Sequence, residues 1–374
     1  MKKTVSLLLT FALLLGTCLF VFAADTFHGD VNGDGAVNAD DLTKLARVVA
    51  GIEDPTTNTD PVIIIPGVIG SELTVGDHTV WPPELGSDIA SMFRALEDMA
   101  ALNVNENPSF SPVRFCMKDR NGRNVGAQNT YETLAEALAE ARGAENVFFY
   151  GYDWRLSNAV TADDLASYIN AVLRTTGAKK VNIVAHSMGG IVTTGYLAKY
   201  GDAKLNKVVT CGTPFLGSEE SVDALVDGGD LLERFVEDQA LSALLAPLVV
   251  EDARTMPSMY ELMPADGWER LGLLDGDKLV ATANDTEKQA FAFYQSVLCN
   301  LEKVWKGVDH VGLVGISTET EDGDGTSNGD GRVTARSATA DGLFVTESVT
   351  FPVLHVDLVC DPAAVAFILS AVSE

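Results

Sequence analysis

The residue types best placed to do chemistry gather around Ser187. It lies in Val181-Asn-Ile-Val-Ala185-His186-Ser187-Met188-Gly189-Gly190, where an apolar run gives way to small residues and then to a helical pattern. A small residue two before the serine and a glycine two after it allow the sharp strand-to-helix turn that lifts a nucleophilic hydroxyl clear of a sheet. The helix opening at Met188 would aim its amides at a developing oxyanion. A serine hydroxyl needs a base, and the base needs an acid to orient it. With the nucleophile on such a turn, the chain order is Ser, then Asp or Glu, then His. His28 and His78 precede Ser187, His186 is its neighbour in the turn, and His310 opens a predicted strand ahead of an acidic loop. Only His355 follows that loop, after Phe351-Pro352 and before a helix expected over 361–372. The acid is expected after the strand ending at Ile316, where Asp322, Asp324 and Asp330 compete. Asp330 is the choice, with Asp324 in reserve. A calcium loop there is disfavoured, because its first and twelfth positions would be Thr326 and Ser337.

A second constellation stands near the N-terminus. Asp30-Val-Asn32-Gly-Asp34-Gly35-Ala36-Val-Asn38-Ala-Asp40-Asp41 reads D-x-N-x-D-G-x5-D. Side-chain oxygens fall at loop positions 1, 3, 5, 9 and 12, with glycine at 6 for the turn and the Ala36 carbonyl at 7. That is how a twelve-residue loop surrounds Ca²⁺, whose hard charge takes six to eight oxygens. The expected ligands are Asp30, Asn32, Asp34, Ala36, Asn38 and Asp41. Leu42, Leu45, Val48 and Val49 follow at helical spacing. An EF-hand-like calcium module is therefore expected over 24–51, with a linker over 52–60. The competing reading is a plain Asp/Asn/Gly turn cluster.

The elements that must position Ser187 are legible as alternating strands and helices. Pro61–Pro66 is a short continuous apolar run of the kind buried on both faces. Similar runs recur at Asn146–Tyr150, Val181–Ala185, Lys207–Cys211 and Val311–Ile316, alternating with helical patterns at Tyr131–Ala141, Ala162–Arg174 and Met188–Tyr200. The alternation implies an α/β domain with a mostly parallel sheet over 61–374. Two stretches, about 71–128 and 216–305, are too long for loops and read as insertions over the carboxyl edge of the sheet. Within the second, Leu241, Leu244, Leu245 and Leu248 form an apolar stripe that would line an acyl tunnel or serve as ordinary packing.

The first 23 residues look like a signal peptide: Lys2 and Lys3, an apolar run over 5–22, and Val21-Phe22-Ala23 before the cut. A membrane anchor competes with that reading, but only Asp25, His28 and Asp30 follow where basic residues would stop transfer. The protein is expected to be secreted and not integral to the membrane. The chain of 374 residues carries 53 acidic against 26 basic side chains, a net charge of −27. Loss of Lys2 and Lys3 leaves 24 basic against 53 acidic side chains, or −29. Such a surface excludes a polyanionic partner, so no nucleic-acid binding is expected, and it argues against electrostatic docking on an anionic bilayer. Cys116, Cys211, Cys299 and Cys360 remain, enough for two disulfides, with buried free thiols an equal expectation.

These residues carry two resemblances. Residues 29–51 resemble one repeat of a type I dockerin, the module that binds cohesin domains on scaffoldins. Ala39, Asp40 and Arg47 fall where that family's recognition residues lie. Dockerins have two repeats and this chain shows one. The later domain resembles the lecithin:cholesterol acyltransferase-like α/β-hydrolases. The matching pieces are Pro61–Ser71, Tyr152-Asp153-Trp154-Arg155-Leu156, Ala185–Gly189, Cys211–Ser218, Pro257–Pro264, Gly329-Asp330-Gly331 and His355, in the family's order. The resemblance implies Ser187 as nucleophile, Asp330 as orienting acid, His355 as base and the amides of Val68 and Met188 as oxyanion hole, with no cofactor for catalysis. It implies a structural role for Asp153-Trp154-Arg155. The implied activity is a secreted serine carboxylic ester hydrolase acting on acyl lipids through an acyl-enzyme. The alternatives are an O-acyltransferase using an alcohol acceptor, or a catalytically idle, scaffold-tethered binding protein.

Overall fold

A computed structural model describes residues 60–84, 89–228, 239–323, 325–345 and 347–373. The expected signal peptide, calcium loop, dockerin-like repeat and most of the linker lie outside the described residues. The central sheet has seven strands. They are β1 (Val62–Ile65), β5 (Phe115–Cys116), β6 (Val147–Phe149), β7 (Val181–His186), β8 (Leu205–Cys211), β11 (His310–Gly315) and β14 (Ser348–Phe351). Their spatial order is β14-β11-β8-β7-β1-β6-β5. All pairings are parallel except that of edge strand β5. A mostly parallel sheet needs helices on both faces, and this one has them. Val62 and Ile64 face α2 (Glu132–Arg142) and α12 (Pro362–Ala371). Ile63 and Ile65 face α3 (Asn158–Thr176) and α4 (Met188–Tyr200). The period-two alternation along one apolar run thus feeds two separate cores, which is why that run has no polar position.

Both predicted insertions carry elements of their own. The first holds β2 (Leu73–Val75), β3 (His78–Trp81) and β4 (Ser111–Pro112) as a small sheet, with α1 (Ile89–Ala100) beside it. The second forms a cap: α5 (Glu219–Val226), α6 (Gln239–Ala253), α7 (Pro257–Glu261), α8 (Gly267–Arg270), the ribbon β9 (Leu274–Asp275) and β10 (Lys278–Leu279), α9 (Asp285–Ser296) and α10 (Leu301–Trp305). A hairpin, β12 (Thr318–Asp322) with β13 (Gly325–Gly329), and the short α11 (Ala335–Ala338) follow β11.

The first part of the cap, α5 to α7, closes on itself at its root. The Ser218 amide donates to the Leu262 carbonyl at 2.9 Å, and Gly217, at φ +94, lies so close to Pro264 that a Cβ there would collide with its backbone. Just inside that closure, the buried Glu261 reaches across to the platform. Its Oε1 accepts from Ser157 Oγ at 2.5 Å, and its Oε2 accepts from the Asn158 amide and from Asn158 Nδ2, both at 2.7 Å. A carboxyl group from the cap therefore caps the N-terminus of α3, where first-turn amides have no partner within the helix.

Cys116, Cys211, Cys299 and Cys360 are free thiols, so no disulfide joins them. Among the described residues no helix is long and apolar enough to cross a membrane. The side chains of Leu241, Leu244 and Leu245 lie outside the described residues; Leu248 is exposed.

Candidate active site

Ser187 sits between the end of β7 and the start of α4, at φ +52 and ψ −126. A non-glycine residue there is strained, and such strain is stored at sites that need a side chain held out of line. Its amide donates to the Cys211 carbonyl at 2.8 Å, tying the turn to the end of β8. Gly189 explains the glycine of the motif: a Cβ there would stand 2.5 Å from the Ile65 carbonyl oxygen. The loop after β1 presses on the serine from the other side, where a Cβ on Gly67 would meet Ser187 Cβ at 2.8 Å and Oγ at 3.3 Å. Val68 follows Gly67 and Met188 follows Ser187, so both predicted oxyanion amides belong to backbone that meets at this hydroxyl. Met188 is also the first residue of α4, and its amide is one of those a helix leaves unbonded.

The structure brings Asp330 and His355 together. Asp330 Oδ2 stands 2.7 Å from His355 Nδ1, and the His355 amide donates to the Asp330 carbonyl at 3.0 Å. Asp330 Oδ1 accepts from the amides of Val333 and Arg332 at 2.8 and 3.0 Å. Burial pushes this carboxyl up, but His355 and the two amides outweigh it and hold the group below its ordinary value. With Nδ1 committed to the carboxylate as donor, His355 keeps Nε2 for a substrate-side proton. The His355 ring lies 4.7 Å from that of His186, the residue before Ser187.

The remaining candidates fall elsewhere. Asp322 is exposed on β12, and Asp324 and His28 lie outside the described residues. His78 is exposed on β3 with its Nε2 2.6 Å from Asp98. His310 opens β11 with its ring against Trp305 and Phe215 and its Nε2 2.8 Å from Thr210 Oγ1, and burial lowers its pKa to about 3. In the Asp153-Trp154-Arg155 run, Arg155 is fully buried. It donates to both Asp153 oxygens at 2.8 and 2.7 Å and to the carbonyls of Leu102 and Asn107, each at 3.1 Å. That is a structural clamp on the first insertion. Among the described residues no group of His, Cys, Asp or Glu could hold a metal ion.

Two buried polar residues at the site carried no role in the sequence reading: Tyr131, just before α2, and His186. The signal for His186 is a histidine inside a strand buried on both faces, which must find partners.

The lecithin:cholesterol acyltransferase family model matches residues 122–326, more than half of the chain. The chain belongs to this family. The region matched includes Ser187 but ends before Asp330 and His355. A relative within this lecithin:cholesterol acyltransferase group, the "lecithin-cholesterol acyltransferase-like 4" of Arabidopsis thaliana, is 27% identical over 245 residues, 57% of this chain and 44% of that protein. A "phospholipase A(1)" of the same plant is 30% identical over 133 residues, 33% of this chain and 29% of that one. The chain thus spans less than half the length of these curated relatives. A chain in the crystal structure of the Tle4–Tli4 complex superposes with a TM-score of 0.55 at 15% identity, covering 84% of this chain and 98% of that one. That likeness supports the α/β-hydrolase fold.

Proposed function

We propose that this chain is a serine carboxylic ester hydrolase of acyl lipids. The observation that carries the reading is the buried Asp330–His355 pair beside a serine held at positive φ. In the mechanism, His355 Nε2 takes the Ser187 proton as Oγ attacks the ester carbonyl. Asp330 steadies the imidazolium that forms. The Val68 and Met188 amides stabilise the oxyanion, and collapse of the tetrahedral intermediate passes the His355 proton to the departing alcohol. The acyl-enzyme is then cleaved by water activated at the same histidine, or by an alcohol in its place. The family name and the acyltransferase-like relative favour keeping that second acceptor, an O-acyltransferase reading, in view.

Ser187→Ala is expected to abolish turnover of a chromogenic acyl ester and labelling by a fluorophosphonate probe. Labelling that persists in the variant overturns the reading. Product analysis with phospholipid, with and without added alcohol, separates hydrolysis from transfer.

The proposal extends to the N-terminal region on sequence alone. Residues 1–23 direct export, so the enzyme works outside the cytoplasm, and Asp30, Asn32, Asp34, Ala36, Asn38 and Asp41 hold a structural Ca²⁺. A cohesin on a scaffoldin is the partner for residues 29–51. Calorimetry with Ca²⁺ and then with a cohesin tests both; no heat with Ca²⁺ removes the module, and no heat with cohesin removes the tether.

A further inference from the structure

His186 and Tyr131 are buried and polar, and the hydrolytic steps use neither of them. Tyr131 Oη accepts from the Gly67 amide at 2.8 Å and stands 2.9 Å from His186 Nδ1. On its other side, His186 Nε2 is 3.1 Å from the His355 carbonyl oxygen. A carbonyl only accepts, so the imidazole proton belongs on Nε2. Burial, reinforced by the neighbouring His355, lowers the His186 pKa to about 3, so the ring is neutral and Nδ1 must accept. The Tyr131 hydroxyl therefore donates to Nδ1 and spends a lone pair on Gly67. One arrangement of protons satisfies every group: Gly67 N–H to Tyr131 Oη, Tyr131 O–H to His186 Nδ1, His186 Nε2–H to the His355 carbonyl.

The ends of this chain decide its meaning. Gly67 is the residue before Val68, whose amide serves the oxyanion, and His355 is the base. Between them, His186 is bonded through the backbone to Ser187. Resting on the hydrolase reading above, we propose that Tyr131 and His186 are positioning residues that hold the oxyanion loop and the base loop in register across the nucleophile. The Gly67 amide, fixed on Tyr131, sets the direction of the next peptide. The His355 backbone is pinned by two opposed bonds, its amide to Asp330 and its carbonyl to His186. Hydrogen bonds in such a chain polarise one another, so loss of one link loosens the others.

The test uses Tyr131→Phe, His186→Gln and the double variant, with active sites counted by fluorophosphonate labelling of Ser187. Each single variant is expected to lose about 10- to 100-fold in kcat with KM within about twofold, as for an interaction made in the transition state. The inhibition constant of phenylboronic acid, which forms a tetrahedral adduct on the serine, rises with the loss. The double variant loses no more than the worse single one, because one chain is broken once. Should Tyr131→Phe fail to fold, His186→Gln carries the test: an amide at the Nε2 position keeps the donor to His355 and loses Tyr131. Unchanged kcat per labelled site, a loss confined to KM or to melting temperature, or fully additive losses each overturn the proposal. A wild-type protein with neither labelling nor turnover overturns the hydrolase reading and this inference together.

Discussion

The platform around Ser187 and the cap that rises from Gly217 use the same physical effect in opposite senses. In the platform, the buried titratable groups outside the Asp330–His355 pair include two histidines, His186 and His310, and burial drives both pKa values down to about 3. In the cap they include carboxyls. Burial drives Glu261 up to about 8 and Asp252 to about 7. It also raises Asp223 to about 6, helped by the neighbouring Glu321 carboxyl. Burial disfavours whichever form is charged, so a base and an acid move in opposite directions. The two regions must then respond oppositely to pH: acid threatens the platform, and alkali threatens the attachments of the cap.

The largest expected effect falls on the platform's chemistry. Asp330→Asn removes the acceptor for His355 Nδ1 and is expected to cost about 1,000- to 10,000-fold in kcat, measured on a chromogenic ester. A loss under tenfold would mean that the buried pair does not orient the base. Next comes the cap's root. Glu261→Ala leaves Ser157 Oγ, the Asn158 amide and Asn158 Nδ2 without their shared acceptor, each loss costing about 1–3 kcal/mol. Its unfolding midpoint in urea is expected to fall while fluorophosphonate labelling of folded protein persists; equal loss of both would show that platform and cap are one unit.

The pH responses sharpen the contrast further. The folded pKa of His186 lies below its unfolded value of about 6.5, so its contribution is present above that pH and is lost as pH falls toward 3. The folded pKa of Glu261 lies above its unfolded value of about 4.5, so its contribution is present below that pH and is lost as pH rises through 8. Relative to wild type, His186→Gln should melt with a weaker dependence between pH 6.5 and 4, and Glu261→Gln with a weaker one between pH 5 and 8. Parallel curves in either window would break the comparison. The smallest effect belongs to Ser258→Ala in α7, which removes a 3.2 Å bond to the Arg155 carbonyl and is expected to cost about 1 kcal/mol by denaturant titration.

The elements around Ser187 were legible because a strand buried on both faces reads as a short, nearly continuous apolar run, even where β7 admits Asn182 and His186. Val62–Ile65 and Val181–His186 could scarcely be read otherwise. Strands at the margins were not legible: β5 is two residues long, and β14, Ser348–Phe351, is only half-buried, so neither has a strong apolar signature. Helix α3 starts at Asn158 and not Ala162, because Ser157 caps it by accepting from the Ala159 amide and Glu261 completes the cap from far along the chain. No local pattern announces a partner about a hundred residues away. The strands of the hairpin, 318–322 and 325–329, carry no apolar side chain and, apart from Thr320 and Gly329, face water or sit half-covered, so nothing in them sets them apart from a loop. The Tyr131–His186 link escaped for a related reason: each residue is ordinary in its own segment, and only the sheet brings the segments together.

The doorway at Gly217 and Pro264 has a consequence for how this enzyme could be re-engineered. The chain leaves the platform at Ser218 and is bonded back to it at Leu262, so residues 219–261 form a detour whose two ends already touch. The entropy of closing a loop grows only slowly with its length. A longer, shorter or foreign segment grafted between those two points would interrupt no strand of the central sheet. It would have to keep a glycine at the exit, a carboxyl next to the return to engage α3, and the bonds of Ser258 to Arg155 and of Thr255 to Val104. That first part of the cap is in this sense an exchangeable cassette, and a library of such segments could be screened for new ester preferences on an unaltered hydrolytic base.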